Sequence, residues 1–186
     1  MLKKLKSILS ANKLVCVLGF FYLGVFFLAV CTGSFTQAER IPHLEDNNQA
    51  SFLDIFLNNI QVSMAILGIG SITGGLMSAV ILFYNGYIIG KLVQFLFSND
   101  QAGALWTGLM PHTLLEILGL TLFAIVSSFP FISIYQFLIG RTIDVKQLIL
   151  TNIRFILIGI LLLFVASLIE DYISYVQFIL ELKGER

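Results

Sequence analysis

Ionisable side chains are missing from long stretches of this chain, and those stretches limit what it can fold into. Residues 14–36 carry no charged side chain at all. Residues 51–97 carry only Asp54 and Lys91, 104–127 only Glu116, and 149–176 only Arg154, Glu170 and Asp171. Crossing about 30 Å of hydrocarbon takes roughly 20 apolar residues, and each stretch is long enough. A soluble domain would instead carry about 25% charged residues, against 12% here, with 58% hydrophobic. The expected fold is therefore all-α, a polytopic transmembrane helix bundle making one integral membrane domain over 1–186. Backbone groups in lipid must be satisfied within a helix or a closed barrel.

The region 51–97 is broken by Gly68, Gly70, Gly74 and Gly75. It divides into two spans around a tight turn at 71–75. The reading is five spans, near 14–36, 52–72, 74–97, 104–127 and 149–176. The piece 129–140 is apolar but too short to cross alone. It reads as an interfacial or re-entrant segment, or as a kinked extension of span four after Pro130. A sixth span would fit the same inventory. Lysine and arginine in short loops set orientation. The first thirteen residues hold four lysines and no acid, which points to a cytoplasmic start. The 37–51 loop, with Glu39, Arg40, Glu45 and Asp46, suits the outside; Arg141, Lys146 and Arg154 suit the inside. The tail, 181–186, would then lie outside, giving a multi-pass protein of a bacterial cell membrane. Residues 28–31 faintly match a lipoprotein cleavage box, but Val30 is bulky there, and an uncleaved first span is preferred.

A net charge of zero leaves no basic surplus for phosphate backbones, so no nucleic-acid partner is expected. No nucleophile elbow or nucleotide loop occurs; the glycine-rich 67–75 has no lysine in the phosphate-loop position. Cys16 and Cys31 sit about 22 Å apart on one helix and cannot pair. Trp106, Tyr172 and Tyr175 fit an interface belt. His43, among the acids of the 37–51 loop, is a weaker metal candidate than a solvated loop residue.

Polar groups inside spans are more informative, because each costs free energy in lipid and normally faces the bundle interior. They are Asn58 and Asn59 in span two, Asn85 in span three, His112 and Glu116 in span four, and Glu170 in span five. His112 and Glu116 stand four apart, on one helical face. In the five-span topology His112 lies about 12 Å below the outer end of its span, with Asn59 and Glu170 about 10 and 9 Å below theirs. Asn85 lies nearer mid-depth. Asn59, Asn85, His112, Glu116 and Glu170 can meet in the outer half of the membrane, whereas Asn58 reads as a contact between neighbouring helices. Gly86 and Gly90 form a small-residue face suited to close helix contact.

Four segments carry a resemblance: FLNNIQVSMAILGIG, FYNGYIIGKL, MPHTLLEILGL and LFVASLIEDYI, in that order. Over about 52–175 the chain resembles the stage II sporulation protein M family through Asn58, Asn59, Asn85, Gly86, Gly90, Pro111, His112, Glu116, Ala166, Ile169 and Glu170. Thr113 replaces the usual glycine after the histidine, and Gly119 stands where alanine is common. The resemblance implies one of two settings. One is a scaffold in a membrane complex with peptidoglycan-degrading partners. The other, closer to this short chain, is the small type found with circular bacteriocins, needed for maturation or export of a head-to-tail cyclised peptide.

Two functional expectations follow. In the first, the protein is an intramembrane metal-dependent peptidase or peptide cyclase acting in circular bacteriocin maturation. His112, Glu116 and Glu170 would hold a metal, Zn²⁺ suiting that nitrogen and oxygen set. Catalysis would fall to Glu116 as base, with Asn59 or Asn85 on the oxyanion. In the second, it is a non-enzymatic scaffold or transport component, with the polar groups fixing helix register. The expected partners are the bilayer, a hydrophobic precursor peptide and other membrane proteins of a maturation, export or sporulation complex.

Overall fold

A computed structural model describes residues 2–36, 51–142 and 144–174. The acidic 37–50 loop with His43, Tyr175, and the tail lie outside the described residues. Helix α1 runs over Leu2–Ser34, α2 over Phe52–Ile72, and α3 over Leu76–Ser98. A short turn, α4 (Ala102–Ala104), leads through a π-helical turn, Leu105–Leu109, into the long α5 (Met110–Leu138). Helix α6 (Val145–Ile169) ends in a second π-helical turn, Glu170–Ser174. Five helices are long and apolar enough to cross a membrane: Lys13–Ser34, Phe52–Ile72, Leu76–Ser98, Ala102–Leu138 and Val145–Tyr172. These are the five spans expected from the charge-free stretches.

The helix ends follow local chemistry. Ser51 caps α2 by accepting from the Asp54 amide, while the Asp54 carboxylate accepts from the Ser51 amide at 3.2 Å. The α2–α3 turn is Thr73–Gly75, where Gly74 and Gly75 take φ of +64° and +93°, a region closed to most side chains. Asp144 caps α6 through the Gln147 amide at 3.0 Å.

Pro130 does not end span four. Helix α5 continues through it to Leu138, so 129–140 is the extension of that span and not a separate re-entrant or interfacial segment. Proline removes one amide donor and frees one carbonyl, a cost that membrane bundles absorb.

Helix α5 is the axis of the bundle. Of its most apolar window 61% is buried, against 11–22% for the other spans. Its buried residues run from His112 to Phe129, and around Leu120, Phe123 and Ile125 the core gathers Tyr22 from α1, Ile66 from α2, Leu82 from α3 and Leu163 from α6. Glycines set the closest approaches. A methyl on Gly90 would strike the Val30 carbonyl, and one on Gly86 would lie 2.6 Å from the Phe26 carbonyl. The small-residue face of α3 therefore seats α1. Gly119 and Gly159 play the same part between α5 and α6, where a methyl on Gly119 would come 3.2 Å from the Gly159 carbonyl. Gly119 tightens that contact.

A buried hydroxyl network secures the α2–α3 turn. The Tyr22 hydroxyl lies 3.2 Å from the Gly75 carbonyl and 2.6 Å from Ser128 Oγ. Ser78 Oγ lies 3.1 Å from the Ile66 carbonyl and 2.7 Å from Ser127 Oγ. Hydrogen bonds between membrane helices stabilise by around 0.6–1.7 kcal/mol each.

Candidate functional site

Pro111 shapes the helix that carries the site. It has no amide hydrogen to give the turn before it, and the backbone there widens: the Met110 amide bonds to the Leu105 carbonyl, five residues back. His112 follows directly, is 8% exposed, and hydrogen-bonds to the backbone of Gly108 within the widened turn. Glu170 opens the second π-helical turn, and the two widened turns pack against each other. A π-helical turn is a rare local distortion, frequent at functional sites, and here one stands beside each member of an ionisable pair.

Between these turns His112 Nε2 lies 4.0 Å from Glu170 Oε2. The Glu170 side chain is 35% exposed against 10% for His112, so the carboxylate forms the open side of the pair. One helical turn along α5, Glu116 Oε1 accepts a hydrogen bond from Asn59 Nδ2 of α2 at 2.7 Å. On the same helix the Asn59 backbone carbonyl accepts from Ser63 Oγ at 2.8 Å. The fully buried Ser63 marks the α2 face that points inward. Asn59, His112, Glu116 and Glu170 thus form one polar cluster shared by α2, α5 and the end of α6.

One expected member is bonded elsewhere. The Asn85 amide donates to the Ile81 carbonyl of its own helix at 2.8 Å, and the hydrogen bond that reaches Glu116 comes from Asn59. Asn58, a candidate for helix contact, is exposed. Both belong to the same sequence pattern as Asn59, and their direction around the helix separates them. Thr113 and Ala166 are buried beside the cluster. The participant that residue chemistry alone did not pick out is the Gly108 backbone. Its signal was Pro111, whose missing donor widens the turn.

Among the described residues, no group of three His, Cys, Asp or Glu side chains is arranged to hold a metal ion. His112 and Glu170 offer a nitrogen and an oxygen of the type Zn²⁺ takes. Glu116, the third expected ligand, is engaged with Asn59. The donor chemistry fits the ion, and the number of converging donors stops at two.

No solved structure matches this chain. An uncharacterized protein of Methanocaldococcus jannaschii is 31% identical over 137 residues, covering 69% of this chain and 73% of that protein. The model of the family described as stage II sporulation protein M matches residues 14–175, a stretch that takes in all five spans and every member of the cluster. On that match the chain belongs to the stage II sporulation protein M family.

Proposed function

We propose that the cluster of Asn59, His112, Glu116 and Glu170 is an acid–base site acting on a peptide within the membrane. The 4.0 Å approach of His112 to Glu170 beside the Asn59–Glu116 bond carries this reading. Four polar groups drawn together in lipid are a costly arrangement that membrane proteins keep mainly for function. In the proposed step Glu116 accepts a proton from the nucleophile, which is water in hydrolysis or the amino terminus of the substrate in cyclisation. The nucleophile bonds to the scissile carbonyl carbon, the bond from that carbon to the departing nitrogen breaks, and the proton passes to that nitrogen. Asn59 keeps a second amide hydrogen for the oxyanion. A hydrophobic precursor of a circular bacteriocin suits a site at this depth.

Zn²⁺ is the metal proposed here; it would be held by His112 and Glu170, and by Glu116 on its release from Asn59. When bound it would supply Lewis-acid polarisation of the substrate carbonyl. Metal content and the thermal stability of purified protein, with and without added Zn²⁺, test that part separately from activity. The orientation proposed is a cytoplasmic start with the cluster nearer the outer face, from the lysines and arginines of the short loops.

The test uses the purified full chain, reconstituted in vesicles with a hydrophobic precursor peptide. The reading expects processed or cyclised product, at least 100-fold less with His112→Ala or Glu116→Gln. Undiminished product from both variants contradicts it. The Asn59–Glu116 bond also favours a second reading, since it joins α2 to α5 directly. In that reading the protein is a scaffold or transport component of a maturation, export or sporulation complex, and a partner performs the chemistry. Copurification of such a partner, with function insensitive to chelators and to His112→Ala, supports it.

A further inference from the structure

Arg154 lies inside the fifth membrane span, Val145–Tyr172, yet it makes no ion pair with any described residue. A cation within an apolar helix is costly without an anion, and the carboxylate on its side of α6, Asp144, is occupied in capping the helix. A shallow, open hollow of about 220 Å³ lies there on the surface of α6 alone, lined by its N-cap Asp144 and by Lys146, Gln147, Leu150, Thr151 and Arg154. Lys146, Leu150 and Arg154 follow at four-residue intervals and share one face. The hollow therefore offers two cations against one engaged carboxylate, with two further polar side chains and an apolar floor.

Its height matches that of the α2–α3 turn. Gly159 crosses Gly119. From that crossing Ser128, which meets the α2–α3 turn through Tyr22, lies about 13 Å along α5. Arg154 lies about 7 Å from the same crossing along antiparallel α6, and Lys146 about 19 Å. The two cations bracket the level at which α2 and α3 reverse, which is where two of the membrane spans end. A free anion would be drawn by the same charges; Leu150 at 45% exposure and the neighbouring apolar α6 surface favour a ligand that carries acyl chains.

We infer that this hollow binds the phosphate of an anionic phospholipid headgroup between Lys146 and Arg154. Lysine and arginine beside a membrane helix attract anionic headgroups, and a ligand that binds only the folded state raises its stability. The test is thermal unfolding of the detergent-solubilised full chain with added phosphatidylglycerol, phosphatidylcholine or inorganic phosphate. Phosphatidylglycerol is expected to raise the midpoint by about 5 °C, with phosphatidylcholine and inorganic phosphate giving less than half of that. Arg154→Gln should lose most of the gain and Arg154→Lys keep most of it. If Arg154→Gln does not fold, Lys146→Gln makes the same comparison. An equal gain from phosphatidylcholine, an equal gain from inorganic phosphate, or a full gain in the glutamine variants overturns the inference.

Discussion

Asn59 Nδ2 donates to Glu116 Oε1 at 2.7 Å, a hydrogen bond that joins two helices through a carboxyl group placed inside a membrane bundle. Partners of this kind stabilise by around 0.6–1.7 kcal/mol in membrane proteins, because the separated helices find other partners in lipid. Losing one partner alone is worse, since the other is left buried and unsatisfied.

Asn59→Leu should therefore destabilise by about 1–3 kcal/mol, whereas Glu116→Gln, which keeps an acceptor oxygen, should cost less than about 1 kcal/mol. A double-mutant cycle on Asn59→Leu and Glu116→Leu, read by unfolding in detergent, should return a coupling of about 0.5–2 kcal/mol. Additive losses would mean that the two side chains do not bond.

The α2–α3 turn is held by a clash that only glycine avoids. A methyl on Gly75 would meet the Tyr22 hydroxyl and Ser128 Oγ, at a φ of +93°. Gly75→Ala should lower stability by at least about 2 kcal/mol. Gly68, with nothing within 4 Å of its added methyl, is the control. Gly68→Ala should be neutral or up to about 1 kcal/mol stabilising. Thermal midpoints of the two variants measured side by side check the contrast.

Seating of α1 on α3 depends on Gly90, whose methyl would fall on the Val30 carbonyl and 2.9 Å from Gly33 Cα. Both are backbone, so relief requires the helices to part. Gly90→Ala should cost about 1–3 kcal/mol, and Gly24→Ala, on an open face of α1, close to nothing. Equal stability of these two variants would place the α1–α3 contact elsewhere.

Much of the fold was legible because charge is costly in lipid, so charged residues collect where helices leave the membrane. That logic placed the five spans. It could not settle direction around a helix. In a membrane protein the lipid-facing and core-facing sides are both apolar, so Asn59, Asn58 and Asn85 look alike in sequence while only Asn59 reaches Glu116. Pro130 left both an end and an extension of span four open, because proline breaks soluble helices but is absorbed in membrane ones; α5 runs through it. The serine and tyrosine hydroxyls around Gly75 gave no signal. A hydroxyl on a membrane helix can satisfy itself on the carbonyl one turn back, as Ser167 does on Leu163, so its residue type says nothing about a partner across the bundle.

The claim on which the functional reading depends is that α5 and the end of α6 bring His112 and Glu170 together. The chain has two histidines, so a His43→Gln background leaves one imidazole to label. Solid-state NMR dipolar recoupling between ¹⁵N-labelled His112 and ¹³C-carboxyl glutamate, in lipid vesicles, measures the approach directly. The structure predicts dephasing from the Glu170 carboxyl carbon, whose Oε2 lies 4.0 Å from Nε2, and a clear fall in Glu170→Gln prepared without labelled glutamine. Dephasing that is absent, or unchanged by that substitution, would contradict the shared site.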